Sequence, residues 1–443
     1  MRWFQPLVAL AVCLLAPVTT LAQAPPPARD AGQLAEAALG ELPGVVSVGV
    51  LRDGKLQVAV RRRERLGQPI EKVDQPAAGT EPIFEVGSVS KVFTGLLVAR
   101  RVESGKLGLD DSIGDLLRGQ AAFRYEAASR ITVRQLLTHT SCLRRWPAAF
   151  TAERMFDQAS ELSRAGLLAA VTDLVLGRTL PCETRYSNVG YALLGDILAQ
   201  RSRSTWDVVV VNEIAQPLAM HDTRLQLSTA QLARRAPPWR GGLRSKAWVP
   251  GVFAPAGGLQ STATDLLLFS QALLLGRKGP LGPAAERLVT DLAEFGDKGA
   301  RIGYGVLMTP APVRTWGHNG ETRAFNAEWV IWPDTQEAVV ILASNKAAPT
   351  QAMRRELVAQ TWSGPTREVV YTRGEFRGTF AEDAGRRLYA RIKIAPGTKL
   401  PFSTLTFRVR DPKLVAGMAA GAVVEFRAEP IAGENTITAL RVP

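Results

Sequence analysis

The sequence predicts one α/β sandwich followed by a small β-barrel, and three observations carry that prediction. Strand-like runs stand at both ends of residues 31–363, the text between them from Lys91 to about Leu281 is mostly helical, and after Gly364-Pro365 the texture changes to short alternating strands. Sheet at both ends with helices inserted between implies that the N- and C-terminal strands share one sheet. At 443 residues the chain exceeds what one modest core holds, so two units are expected, 31–363 and 366–443.

Taken in order, the chain begins with Arg2, an apolar run over 7–15 too short to span a bilayer, and small residues over 20–24. This reads as a signal peptide, 1–22, cut after Ala22, followed by a linker, 23–30, containing Pro25 to Pro27. An exported protein, periplasmic or secreted, is expected, with no transmembrane segment after cleavage. A helix over 31–42 precedes two β-rich runs, 45–51 and 56–60, which flank Asp53-Gly54 as a hairpin does. Helical spacing recurs at 133–137 and 264–275. Strands return at 302–308, 327–332 and 338–342, the last two joined by Pro333-Asp334, and a helix over 350–362 is expected to pack on their sheet. In the last block, runs at 368–371, 387–394, 405–409, 423–428 and 436–441 make about five strands, enough for a closed or half-closed barrel.

Net charge is +13 with pI ≈ 10.0. The arginines are scattered: Arg61 to Arg63, Arg144 with Arg145, Arg234 with Arg235, Arg386 with Arg387. No aromatic-interleaved basic stripe accompanies them, so nucleic acid is not expected as a partner, and the charge reads either as suited to anionic surroundings such as cell-envelope polymers or as the mark of an arginine-rich genome. Three scattered histidines without an acidic cluster give no metal site, and no cofactor is expected. His139 reads as a structural hydrogen-bonder and His221 as a surface turn residue. Once Cys13 has left with the signal peptide, Cys142 and Cys182 remain, an even pair that is either a disulfide or two separate buried thiols.

The stretch FEVGSVSKVFTG, 84–95, carries the first chemical signal. A strand, a glycine and an apolar-periodic helix put Ser88 at a helix N-terminus and Lys91 one turn on, on the same face. The helix end favours a developing oxyanion and lowers the proton affinity of a nearby amine. A desolvated lysine there is what Ser–Lys catalysis requires. Of the eleven lysines only Lys91 has a serine three residues before it. Alone, the spacing fits equally a helix N-cap followed by a solvated lysine.

That stretch resembles the nucleophile motif of the class C β-lactamase superfamily, which also holds penicillin-binding DD-peptidases, esterases and D-aminopeptidases. The phrases LLTHTS (136–141), YSNVGYALLG (186–195), PAGGLQSTATDL (255–266) and GHNGETRAFN (317–326) resemble its other landmarks, in the family's order. The resemblance implies an antiparallel sheet flanked by helices, with an all-helical insertion. It also implies roles: Ser88 as acylated nucleophile, Lys91 as its base, Tyr186 as proton shuttle, and Asn188 as holder of Lys91 and the substrate. The third motif is His318-Asn319-Gly320, the form of the esterase and peptidase branches, and backbone N–H groups of Ser88 and Glu321 are expected to make the oxyanion hole. Loss of the lysine and threonine of the β-lactamase form removes a fixed charge and a hydroxyl that would grip a substrate carboxylate, which weighs against efficient β-lactam or free D-Ala-D-Ala recognition unless His318 is charged or Arg323 substitutes. No Glu-x-x-x-Asn pattern supplies the deacylating base of class A enzymes.

Cys142 and Cys182 each stand where this family usually has glycine, which implies a disulfide flanking the active site. The segment LTFRVRDPKLVAGMAAGAVVEFRAE, 405–429, resembles small OB-like barrels of periplasmic copper-binding proteins, but the histidine and paired methionine ligands are absent and only Met418 is near. No copper is assigned. The reading is an exported serine hydrolase acting through a Ser88 acyl-enzyme on a peptide amide, an ester or a β-lactam. Its partners would be small molecules or peptides, peptidoglycan fragments among them. Carboxypeptidase, esterase and aminopeptidase activities stay unresolved. The alternative is a catalytically silent cell-wall peptide-binding protein of the same fold.

Overall fold

The structure, a computed structural model, describes residues 30–151, 153–177, 179–296, 299–310, 313–359, 372–382, 387–394, 404–431 and 434–442. The expected signal peptide, the proline linker and the strand over 368–371 lie outside the described residues. Two compact units divide the chain, Met1–Ser363 and Gly364–Pro443.

In the first unit nine strands form one sheet: β1 (Gly44–Arg52), β2 (Lys55–Arg63), β3 (Glu71–Asp74), β4 (Ala293–Glu294), β5 (Arg301–Ile302), β6 (Leu307–Thr309), β7 (Thr315–Glu321), β8 (Asn326–Trp332) and β9 (Glu337–Ala343). Their order is β3-β2-β1-β9-β8-β7-β6-β5-β4, antiparallel throughout. The seam at its centre joins the two ends of the unit, with Val46 opposite Ala343 and Val48 opposite Ile341. The run expected over 302–308 is two short strands instead. Gly303 and Gly305 fold it back, Gly305 with φ +85 and the Gly303 N–H donating to the Val306 carbonyl at 2.9 Å.

Five helices matter for the sheet and the site: α1 (Ala31–Leu39), α2 (Ser90–Glu103), α3 (Asn188–Ser202), α4 (Ala263–Leu274) and α5 (Thr350–Ala359). Helix α1 begins in a capping box, in which the Asp30 side chain accepts from the Gln33 N–H at 2.7 Å and the Gln33 side chain accepts from the Asp30 N–H at 3.2 Å. It stops at Leu39, three residues short of the expected end, because Gly40 turns out of the helix at φ +51.

Period-two alternation decides what each strand face meets. Val46, Val48 and Val50 face the layer of α1 and α5, with Leu34, Ala35, Met353 and Leu357. Val45 and Leu51 face the larger core, where α4 lies on the sheet and the Trp329 indole N–H donates to the Ser270 hydroxyl at 2.8 Å. Helix α2 runs inside that core. All ten residues from Ser90 to Ala99 are buried, so the helix has no solvent face over its first turns.

In the second unit, β10 (Thr372–Glu382), β11 (Arg387–Ile394), β12 (Thr404–Val409), β13 (Val423–Ile431) and β14 (Glu434–Arg441) close a barrel in the order β10-β11-β12-β14-β13. A parallel pairing of β12 with β14, Val409 opposite Ile437, completes it. Phe376, Ile392, Phe407, Val424 and Phe426 fill the interior, and Met418 packs against the same core. Among the described residues no helix of either unit is long and apolar enough to cross a membrane.

Candidate active site

Ser88 lies in a single 3₁₀ turn, Gly87–Val89, that leads into α2. It is not the helix cap. No side chain caps that turn or α2, and the Ser90 hydroxyl donates instead to the Gly87 carbonyl at 2.7 Å. Lys91 is fully buried, and its Nζ donates to Ser88 Oγ at 3.2 Å, Asn188 Oδ1 at 2.7 Å and the Ala256 carbonyl at 2.6 Å. The N-cap with a solvated lysine is therefore not what the chain builds. Burial lowers the Lys91 proton affinity well below its ordinary value, and the nearby Arg145 charge lowers it further.

Tyr186 and Asn188 flank the start of α3. Ser187 caps that helix, its hydroxyl accepting from the Gly190 N–H at 3.0 Å, and so sets the angle at which both neighbours leave the backbone. The Ser187 N–H donates to His139 Nδ1 at 3.1 Å, and the His139 ring lies under the Tyr186 ring with centroids 4.5 Å apart. Lys91 Nζ sits 4.7 Å from the Tyr186 ring centroid. Burial raises the proton affinity of the Tyr186 phenol, while its hydrogen bond with Ser88 pulls the other way, so the phenol keeps its proton at neutral pH.

A disulfide joins Cys142 to Cys182 across a sequence separation of 40. Next to it the Cys182 N–H donates to the Thr140 carbonyl and the Arg185 N–H to the His139 carbonyl, both at 2.8 Å. The crosslink thus binds the loop after LLTHTS to the loop that enters Tyr186. Cys142 has φ +62, a left-handed backbone that glycine adopts without cost. Closing a loop of this length contributes about 4 kcal/mol in the chain-entropy account.

The third wall is the free edge of β7. Pairing with β6 ends at Gly317, and beyond it the edge runs along the Ser88 turn. A Cβ on Gly320 would lie 1.9 Å from the Val86 carbonyl oxygen and 3.1 Å from Ser88 N, and one on Gly87, which has φ +52, would lie 2.6 Å from Glu321 N. Only two glycines let the two backbones approach this closely. The amides of Ser88 and Glu321 meet across that contact. The Glu321 side chain turns away to Lys346, whose Nζ donates to it at 2.6 Å, and to Gln351.

His318 is 2 % exposed, and its Nδ1 lies 2.6 Å from the Asn319 carbonyl, so Nδ1 carries the proton and Nε2 presents a lone pair. Burial, followed by the Lys91 charge, pushes its pKa down from 6.5 to about 3. His318 is therefore neutral and does not replace the charge that the lysine form of this motif carries. Arg323 is not free either, since it pairs with Asp157. Linkage follows from the same shift. Between 6.5 and about 3 the unfolded imidazole binds a proton that the folded one refuses, so this contribution to stability is intact above 6.5 and declines as pH falls through that window. Proton titration of the His318 Cε1 resonance should show no inflection between about pH 5 and 9. A midpoint near the ordinary value would restore the cation.

The seven expected site residues thus converge on one cleft. Two contributors carried no recognisable signal. The Ala256 carbonyl has no side chain to read, and Arg145, whose carbonyl accepts from the Asn188 N–H at 3.1 Å and whose guanidinium lies 5.5 Å from the Tyr186 ring centroid, looked like one more scattered arginine.

A family model described as beta-lactamase matches residues 33–361. The chain belongs to the beta-lactamase family. It is 30% identical to penicillin-binding protein 4 of Amycolatopsis lactamdurans over 44% of this chain and 51% of that protein. It is 30% identical to a beta-lactamase of Lysobacter lactamgenus over 59% of this chain and 65% of that one. The chain thus spans about half to two thirds of the length of these curated relatives. Among solved structures, the beta-lactamase/D-alanine carboxypeptidase from Pseudomonas syringae superposes with TM-score 0.59 at 19% identity, over 73% of this chain and 95% of that one. The octameric penicillin-binding protein homologue from Pyrococcus abyssi gives 0.59 at 19%, over 90% and 93%. Both likenesses are of fold. The beta-lactamase family core is the first unit, and the match ends before the barrel strands begin.

Proposed function

We propose that the protein is an exported serine hydrolase that works through an acyl-enzyme on Ser88, with an ester or a peptide amide as substrate. The observation that supports this best is the Lys91 amine, held at 3.2 Å from Ser88 Oγ in full burial with no carboxylate among its hydrogen-bond partners. Such an amine is neutral often enough to take the serine proton. Ser88 Oγ attacks the substrate carbonyl carbon as Lys91 accepts that proton. The amides of Ser88 and Glu321 receive the oxyanion. The Tyr186 phenol protonates the leaving nitrogen or oxygen and is reprotonated from Lys91, so no net charge accumulates. Water then attacks the acyl carbon along the reverse proton path and frees the acid and Ser88. Asn188 fixes Lys91 through Oδ1 during both halves.

Export agrees with the disulfide, which persists in oxidising compartments. The neutral His318 and the paired Arg323 weigh against the fixed charge that a β-lactam carboxylate meets in the lysine form of the motif. Labelling of the full-length protein with a fluorophosphonate and, in parallel, a fluorescent penicillin tests the reading. Fluorophosphonate labelling that exceeds penicillin labelling is the expected result. Penicillin labelling without turnover of any ester would point to a silent binder, and labelling by neither would overturn the enzyme.

A further inference from the structure

Besides Lys91, the side chains His318, Arg323, Lys346 and Arg145 near the Ser88 turn can carry positive charge, and three of these four are accounted for. His318 is neutral in its buried tautomer, Arg323 is held by Asp157, and Lys346 is held by Glu321 and Asn326. Arg145 is the fourth. Its side chain is exposed and no carboxylate among the described residues pairs with it. Its place is nevertheless fixed: the Asn188 N–H anchors its carbonyl at 3.1 Å, the neighbouring disulfide anchors the loop, and the Tyr186 ring lies under its guanidinium. A charged fork held on an aromatic face is pre-organised for a planar anion. Beside it runs an apolar wall in which Trp146 meets Trp248 edge-on at 6.5 Å, while Trp248 reaches Gly257 behind the Ser88 turn.

We propose that Arg145 is the specificity-determining anion anchor of this enzyme and that the preferred substrates carry a carboxylate a few bonds from the scissile carbonyl. The inference rests on the serine-hydrolase reading. Arg145 touches no reacting atom. It forms a charge-assisted, bidentate contact with the substrate carboxylate at the Tyr186 wall and not at the third motif. The carboxylate can belong to the acyl group or to the leaving group, and the two sources are separable.

The test compares wild-type protein with Arg145→Gln and Arg145→Lys on two substrate pairs. One pair places the charge on the acyl side, the mono-p-nitrophenyl ester of glutaric acid against p-nitrophenyl butyrate. The other places it on the leaving group, hippuryl thioglycolate against its methyl ester. The expected result is a fall of about tenfold in the charged-to-neutral ratio of kcat/KM for one pair in Arg145→Gln, carried by KM and partly restored in Arg145→Lys. The wild-type ratio for that pair should also shrink as salt is raised. Unchanged ratios in both pairs overturn the anchor even though the neutral esters turn over. Absence of turnover together with absence of fluorophosphonate labelling in the wild type overturns the hydrolase reading instead, so the two failures are distinguishable.

Discussion

Replacing Ser88 by alanine removes covalent labelling and lowers hydrolytic turnover by about ten-thousandfold or more, while the protein stays folded. Chemistry requires the first outcome, since the remaining nucleophile is water, unactivated and unpositioned. Packing requires the second. Ser88 sits in a partly open turn, and its hydroxyl is one of three acceptors around Lys91, the others being the Asn188 amide and the Ala256 carbonyl. Those two keep the lysine in place. Intact-protein mass spectrometry after fluorophosphonate treatment, with a thermal melt of the same samples, reads both. Full labelling of the alanine variant would move the nucleophile elsewhere.

Gly320→Ala is expected to carry the next largest cost, for a different reason. The new methyl would enter at 1.9 Å from the Val86 carbonyl, and backbone rather than a flexible side chain is what it meets. Strand β7 or the Ser88 turn must give way, and either movement separates the amides of Ser88 and Glu321. Loss of one such donor costs about a hundred- to a thousandfold in the rate of acylation. The overpacking itself costs about 1–3 kcal/mol of stability. Pre-steady-state acylation by p-nitrophenyl butyrate together with denaturant unfolding measures the two effects. Acylation within twofold of wild type would show that the edge of β7 is not the oxyanion wall.

Much of this was legible in the sequence. The Asp53-Gly54 hairpin and the short alternating strands of the barrel declare themselves through period-two alternation and turn chemistry, and β9 through its continuous apolar run from Ala338 to Ala343. Strand β7 does not. TWGHNGE has neither alternation nor β-branched residues beyond Thr315, and it is a strand because β8 pairs with it from Trp316 to Glu321. The most informative residues of the third motif lie there, so a motif could be read where an element could not. The same limit applies to charge. His318 and Arg323 were the candidate cations because histidine and arginine can carry charge, but burial and Asp157 decide otherwise, and neither is encoded locally. Arg145 lay among many arginines, and only the disulfide and the Tyr186 ring single it out.

The seam between β1 and β9 also bears on how the protein is made. Val46 waits for Ala343, nearly the whole unit later in synthesis, and until then α1 and the first hairpin have no sheet to join. A ribosome adding about 5–20 residues per second leaves that hairpin exposed for some tens of seconds. The Ser88 turn, built on a helix buried on every side over its first turns, can acquire its geometry only after the last strand has arrived. A nascent chain is thus inert by topology, and a chain truncated before β9 is expected to be insoluble rather than partially active.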